Sequence, residues 1–286
     1  MTDPAAPSSS VLVPSAAPWL AGHPAERALS FGPIAAAYER FRPGYPDELV
    51  TAVLDYAGRP VRTALEIGAG TGKATRVFAA HGIAVTASDP DPAMLAVLRE
   101  HVPSGVTVVQ GSLEDLALPG TFDLVFAGAS LHWTRAEGRW ARIASLLVPG
   151  GVVAVFGGPR DLADPELRQR MDSIRARYLP SDEAPPEPSP ERPQEAQPTG
   201  STGPDAQRWP WVELVAAPEF TDARALTIPG GSVQPAEQYL GMLGTVSAYL
   251  QLDADVRQRM FDQMRAALPD QVEVSRTITL DLGRRR

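Results

Sequence analysis

Two hydrophobic periods alternate along this chain. Residues 29–41 place Phe31, Ile34, Tyr38 and Phe41 near one face of a helix interrupted early at Gly32-Pro33. Arg42-Pro43-Gly44-Tyr45-Pro46 ends that helix, and Asp47 is expected to cap a second, whose inner face is Val50, Val53, Leu54 and Ala57. Residues 64–67 then read as a short buried strand. Residues 73–80, with Ala74, Val77 and Phe78 at helical spacing, read as a helix stopped by His81-Gly82. A strand over 83–88 ends at Asp89, and a helix follows with Asp91 as cap, Pro92 in its first turn, and Met94, Leu95 and Leu98 facing inward. Strands at 106–110 and 122–126, a helix carrying Trp140, Ile143 and Leu147, the turn Pro149-Gly150-Gly151 and a strand at 152–156 complete the series. Five strands alternating with helices predict an α/β fold, a parallel sheet covered on both faces, with ligands at the carboxyl ends of its strands.

Beyond this the pattern changes. Residues 161–179 read as helical. Residues 181–208 then set Pro185, Pro186, Pro188, Pro190, Pro193, Pro198 and Pro204 among Glu, Gln and Ser, a composition with too little apolar surface to fold. The expectation is a disordered insert within one domain rather than a domain boundary. Trp209 and Trp211 mark the return to packed structure. A sixth strand at 223–228, helices over 235–250 (Tyr239, Met242, Leu243 and Val246 on one face) and 254–268, and a last strand at 272–282 follow. Residues 1–28, rich in Ala, Pro and Ser, read as a disordered tail with Trp19-Leu20 as a local anchor, so the domain is expected to span 29–286, its helices over 29–58 forming an N-terminal unit.

Composition narrows the function. In 286 residues, 44% hydrophobic and 21% charged content is that of a globular chain. A net charge of −8 argues against a binder of nucleic-acid phosphates. No apolar run approaches the ~20 residues needed to cross a bilayer, and residues 1–28 lack the basic start and apolar core of a signal peptide, which makes a cytoplasmic protein the expectation. There is no cysteine, hence no thiolate chemistry and no Cys-based metal site, and no metal is expected.

The chemistry centres on Glu66-Ile67-Gly68-Ala69-Gly70-Thr71-Gly72, between a strand and a helix N-terminus. The dinucleotide fingerprint G-x-G-x-x-G would need glycine where Lys73 stands. A phosphate loop would need glycine at Ile67 and a hydroxyl at Ala74. What remains is acidic-x-G-x-G-x-G, either a tight turn or a cradle for a polar group. Asp89, about twenty residues on, is either a helix cap or the acceptor for ribose hydroxyls that α/β nucleotide folds place there. Ser112 and His132 also follow strands and are expected to line the same crevice. His132 and Trp133 face two readings, structural groups or residues facing an acceptor. Arg42, one helical turn from Tyr38, is either a snorkelling side chain at a helix end or a fork of donors for a carboxylate.

Together, the Glu66 to Gly72 loop, Asp89, Gly111-Ser112-Leu113-Glu114, Phe122-Asp123-Leu124-Val125 and Pro149-Gly150-Gly151 resemble the motif series of class I S-adenosylmethionine-dependent methyltransferases. Tyr38 with Arg42-Pro43-Gly44-Tyr45-Pro46, Leu131-His132-Trp133 and Leu243-Gly244-Thr245-Val246-Ser247 are similar to the type 11, trans-aconitate methyltransferase-like branch. The resemblance implies a Rossmann-like doubly wound sheet of seven strands, the last antiparallel, with the N-terminal helices as a lid. It implies S-adenosyl-L-methionine as cofactor and a small-molecule acceptor. The backbone of Gly68, Ala69, Gly70 and Gly72 would approach the methionine part, and Glu66 would serve its ammonium, directly or through water. Asp89 would take the ribose, Pro90 and Met94 would lie beside the adenine with Ser112 and Leu113 at its edge, and Ala127 at the end of the fourth strand would belong to the same site. Many relatives carry aspartate where Ser112 stands. Tyr38, Arg42, His132 and Trp133 would face the acceptor, O-methylation being expected, with N- and C-methylation open. Two other functions stay open at this point, a nicotinamide-dependent oxidoreductase and a non-catalytic S-adenosylmethionine-binding protein.

Overall fold

The computed structural model describes residues 29–118, 120–179 and 208–286. The tail over 1–28 and nearly all of the insert over 181–208 lie outside the described residues. From the N-terminus, a 3-10 turn, Leu29–Ile34, leads into helix α1, Ala35–Phe41, and then α2, Asp47–Ala57. The alternating core follows as β1 (Thr63–Ile67), α3 (Lys73–Ala80), β2 (Ala84–Asp89), α4 (Pro92–His101), β3 (Thr107–Gln110), β4 (Phe122–Gly128), α5 (Arg139–Ser145) and β5 (Leu147–Gly157). The C-terminal part contains β6 (Arg160–Leu162), α6 (Pro165–Arg175), α7 (Trp211–Ala216), β7 (Phe220–Pro235), α8 (Ala236–Leu243), α9 (Ser247–Leu250), α10 (Ala254–Ala267) and β8 (Gln271–Arg285).

β3, β2, β1, β4 and β5 lie side by side in parallel, and β8 then pairs antiparallel with β5. β7 pairs antiparallel with the other edge of β8. Of the eight strands, β6 is a resumption of β5: Val152 pairs with Arg284 and Arg160 with Arg276, the same register along β8, broken only at Gly158-Pro159. The sheet therefore has seven lanes, as the resemblance implies, with the last strand antiparallel. The order reverses between β1 and β4, and that switch point opens the crevice.

Side-chain alternation divides the core. Ala64, Phe126 and Phe156 face α2 and α3, where Phe78 stacks on Phe126 at 4.1 Å between centroids. Leu65, Ile67, Val125 and Ala127 face the other way, onto Trp140, Ile143 and Leu214. A third apolar cluster, built on Met171, Tyr239, Leu240, Met260 and Met264, ties α6, α8 and α10 together.

Several expected boundaries shift. Asp47 is the first residue of α2 rather than its cap; Pro46 holds the cap position, with no side-chain hydrogen bond. Residues 161–179 begin as β6 before α6. Leu147 leaves the α5 helix and opens β5, and Pro149-Gly150-Gly151 bulges within that strand, with Gly150 at φ 71°. The helix expected over 235–250 is two helices, parted at residues 244–246.

Candidate active site

Gly68 follows β1 and Ser130 follows β4 across the switch point. The Ser130 hydroxyl donates to the Ile67 carbonyl, and a Cβ on Gly68 would sit 2.5 Å from the Ser130 Cβ. At φ 66°, only glycine lets these two strand ends approach so closely. Ala129, between β4 and Ser130, is held at φ 54°, a strained value for a residue with a Cβ. Gly70, at φ 56°, turns its N–H onto Asp89 Oδ2 at 2.8 Å, while the Asp91 N–H reaches Asp89 Oδ1 at 2.9 Å. Burial pushes the Asp89 carboxyl up to about 6 against those two donors. Each of its oxygens keeps a lone pair for a hydroxyl. Asp91 caps α4 by accepting from Ala93 N–H at 2.8 Å.

These groups open onto a cavity of 910 Å³, near the upper end of the size of small-ligand sites. Its floor holds Gly68, Gly70, Asp89, Pro90 and Met94, with Gln110, Gly111, Ser112 and Leu113 along one side. Ser112 Oγ donates to Asp115 Oδ2 at 2.7 Å, closing its own turn. The opposite wall is aromatic. His132 and Trp133, in the 3-10 turn after β4, lie 4.5 Å apart by ring centroids; Phe31 meets Trp133 edge-on at 5.8 Å and Tyr38 at 6.0 Å. Arg42 lies 5.3 Å over the Tyr38 ring and is held from the C-terminal part, donating from Nε to Thr245 Oγ1 (2.7 Å) and from Nη2 to the Thr245 carbonyl (3.0 Å). One end of the cavity is therefore polar and acidic, the other aromatic and basic.

The N-terminal helix is fastened to the glycine loop. Lys73 Nζ donates to the Glu39 carbonyl at 2.6 Å and lies 3.2 Å from Glu39 Oε1, which also meets Arg76 Nη2 at 3.0 Å. Phe41 packs against Gly241 of α8, where a Cβ would fall 2.4 Å from its ring. Helix α1 thus closes the cavity between the glycine loop and the C-terminal helices.

Residues 65–155 match the family model described as a methyltransferase domain. That stretch, about a third of the chain, is similar to a methyltransferase domain. Over 137 residues it is 38% identical to an uncharacterised methyltransferase of Mycobacterium tuberculosis, covering 48% of this chain and 55% of that relative. Over 123 residues it is 33% identical to the trans-aconitate 2-methyltransferase of an Acidovorax species, covering 42% of this chain and 47% of the relative. The chain thus spans about half the length of the curated relatives it matches. The solved structure of a candidate type II methyltransferase from Anaeromyxobacter dehalogenans is similar at 26% identity, with a TM-score of 0.57, covering 85% of this chain and 98% of that one.

Of the residues expected at the site, Tyr38, Arg42, Gly68, Gly70, Asp89, Pro90, Met94, Ser112, Leu113, His132 and Trp133 line one cavity. Four expected residues lie outside its lining. Glu66 points from β1 toward α3, fully buried, and accepts from the Thr75 hydroxyl; burial pushes its carboxyl up to about 8, with Asp89 adding to the rise. That direction differs from a direct ammonium contact inside the cavity. Ala127 faces the core on the α5 side, Ala69 packs against α4, and Gly72, at φ 84°, opens α3 against Leu98 and Val102. The sequence reading missed Phe31, Ser130 and Val246 as lining residues. Only Phe31 had a signal, seven residues before Tyr38 on the same helical face. Among the described residues no cluster of three or more His, Asp or Glu could hold a metal ion, and no helix is long and apolar enough to cross a membrane.

Proposed function

We propose that this protein transfers the methyl group of S-adenosylmethionine to a small-molecule acceptor bound in the same 910 Å³ cavity. The observation that carries this reading is Asp89, positioned by two backbone N–H groups at the end of β2, beside two glycines in left-handed conformations and across from an aromatic wall. The cradle fits the cofactor: Gly68 and Gly70 leave its floor free of side chains, and Asp89 retains acceptor capacity for a ribose. When bound, S-adenosylmethionine supplies a methyl group already activated on a sulfonium. The protein then has to orient the acceptor in line and exclude water. Tyr38, Phe31 and Trp133 would exclude water, and Arg42 would orient the acceptor. For a hydroxyl acceptor His132 would take the proton; a carboxylate acceptor is already ionised at neutral pH and needs no base. The name of the Acidovorax relative specifies a small molecule as acceptor, which supports a small acceptor here.

The test is a mass-spectrometric search for methylated products when the protein and S-adenosylmethionine are added to a metabolite extract. A product heavier by one methyl group, with release of S-adenosylhomocysteine, is expected. Once an acceptor is known, His132→Ala and Arg42→Ala should lower turnover and keep cofactor affinity. Full turnover in both would remove the two residues from the acceptor site. Cofactor binding without any product would favour a non-catalytic binder.

A further inference from the structure

The turn that carries His132 and Trp133, Leu131–Trp133, is a single 3-10 turn, with the weaker hydrogen bonds of that geometry. Its stiffness comes from outside. The Thr134 hydroxyl donates back to the Leu131 carbonyl at 2.7 Å and closes the turn. Arg139, the first residue of α5, then grips Thr134 twice: Nε donates to Thr134 Oγ1 at 2.7 Å and Nη2 to the Thr134 carbonyl at 2.6 Å. Nη1 of the same guanidinium donates to Glu213 Oε2 on α7 at 2.9 Å. Glu213 also holds two indoles, accepting from Trp140 Nε1 at 3.0 Å and, on Oε1, from Trp209 Nε1 at 2.9 Å. The Trp209 ring lies 5.4 Å from the Arg139 guanidinium and stands edge-on to His132 at 6.4 Å. One polar network therefore holds the Thr134 end of the turn through the guanidinium and flanks the His132 ring through Trp209.

The Arg139 side chain is 4% exposed and that of Glu213 32%. Sequestering such a pair is costly, and packed apolar residues of similar volume often give equal or greater stability. Seating α7 does not call for it, because Leu214 of that helix is already buried with Trp140, Val153 and Phe220. What an apolar pair cannot do is fix Thr134: the forked donors of a guanidinium reach a hydroxyl, a carbonyl and a carboxylate at once. His132, Trp133 and Thr134 line the cavity, and Arg139 and Glu213 stand behind them. A shift of ~1 Å in groups that orient a reaction can lower its rate about a hundredfold.

We propose that Arg139 and Glu213 are positioning residues for methyl transfer, clamping the turn so that His132 and Trp133 keep a fixed place in the cavity wall. The proposal rests on the methyl-transfer reading and on the acceptor-facing role given there to His132 and Trp133. Its test uses the full chain. Release of S-adenosylhomocysteine in the metabolite extract, at saturating S-adenosylmethionine, reads turnover. Calorimetry with S-adenosylhomocysteine reads the cofactor site, and histidine NMR, with His132→Asn for assignment, reads the turn. Arg139→Lys keeps the charge beside Glu213 and lacks the fork; Arg139→Met combined with Glu213→Gln replaces the pair by uncharged groups of similar size. Both should bind S-adenosylhomocysteine as the wild type does and lower turnover by about tenfold or more. Both should move the His132 signal and leave that of the exposed His101 in place. A variant with wild-type turnover, or with an unmoved His132 signal, would overturn the clamp. So would a wild-type His132 signal as averaged as that of His101, a comparison that needs no variant and survives a poorly folding substitution. Wild-type binding of S-adenosylhomocysteine without any methylated product would instead remove the reaction the clamp serves, and the NMR comparison tells that outcome apart from failure of the clamp itself.

Discussion

Asp89 accepts from Gly70 N–H and Asp91 N–H, and burial still lifts its carboxyl to about 6. In the proposed site ribose hydroxyls would donate to the ionised form, so cofactor affinity should fall as pH drops through about 6, and Asp89→Asn should flatten that dependence. Calorimetry with S-adenosylhomocysteine between pH 5 and 8 reads this directly. Glu66, one strand over, gives a different signature. Its carboxyl has an ordinary value of 4.5 when unfolded and is pushed to about 8 in the fold. Between those values the folded chain holds a proton that the unfolded chain has lost, so Glu66 makes stability fall as pH rises across that window and adds no slope above it. Glu66→Gln should remove this part of the slope in urea unfolding measured at several pH values. A slope unchanged in the variant would mean that Glu66 is ionised in the fold.

At the scale of elements, the fastening of α1 to α3 is the contact with the clearest consequence. Burial works against ionisation of Glu39, but Thr71, Lys73 and Arg76 outweigh it and hold its carboxyl below the usual range. Glu39→Ala should destabilise the protein by roughly 1–2 kcal/mol, between the values for exposed and buried ion pairs. Because a depressed carboxyl stabilises only while ionised, the gap between wild type and variant should close as pH falls through the folded value, below 4.5. Thermal unfolding at pH 7 and in acid checks both statements. Lys73 also shows how far the sequence could be read. Its presence excluded the dinucleotide pattern from spacing alone, whereas its bond to Glu39 joins residues 34 apart and has no local signal. The β1 loop, α3 and the Asp91 cap were legible because their signals lie within a few residues of one another. The break between α8 and α9 was not. It depends on Thr245, whose hydroxyl donates to the Met242 carbonyl while accepting from Arg42, 203 positions away. β7 runs through Pro229-Gly230-Gly231, which reads as a strand end in sequence but is tolerated on an outer edge that pairs only with β8.

The whole molecule assembles its cavity from four strand ends, the N-terminal helix and residues 246–247. The strand ends were foreseeable, since alternating strands and helices fix where a ligand binds in such a sheet. That Arg42 would be oriented by Thr245, and Trp133 covered by Phe31, depends on packing between distant segments. The same placement explains why Glu66, one residue before the first glycine, lies under α3: strand alternation turns it away from the face that carries Ile67. The central claim is that the glycine loop and Asp89 form a site for S-adenosylmethionine. Its most direct test is calorimetric titration of the full chain and of Asp89→Ala with S-adenosylhomocysteine and, separately, with NADH. The expected result is saturable binding of S-adenosylhomocysteine, weakened by about 1–3 kcal/mol in Asp89→Ala, and no comparable binding of NADH. Preference for NADH, or an Asp89→Ala variant that binds S-adenosylhomocysteine as tightly as the wild type, would contradict it.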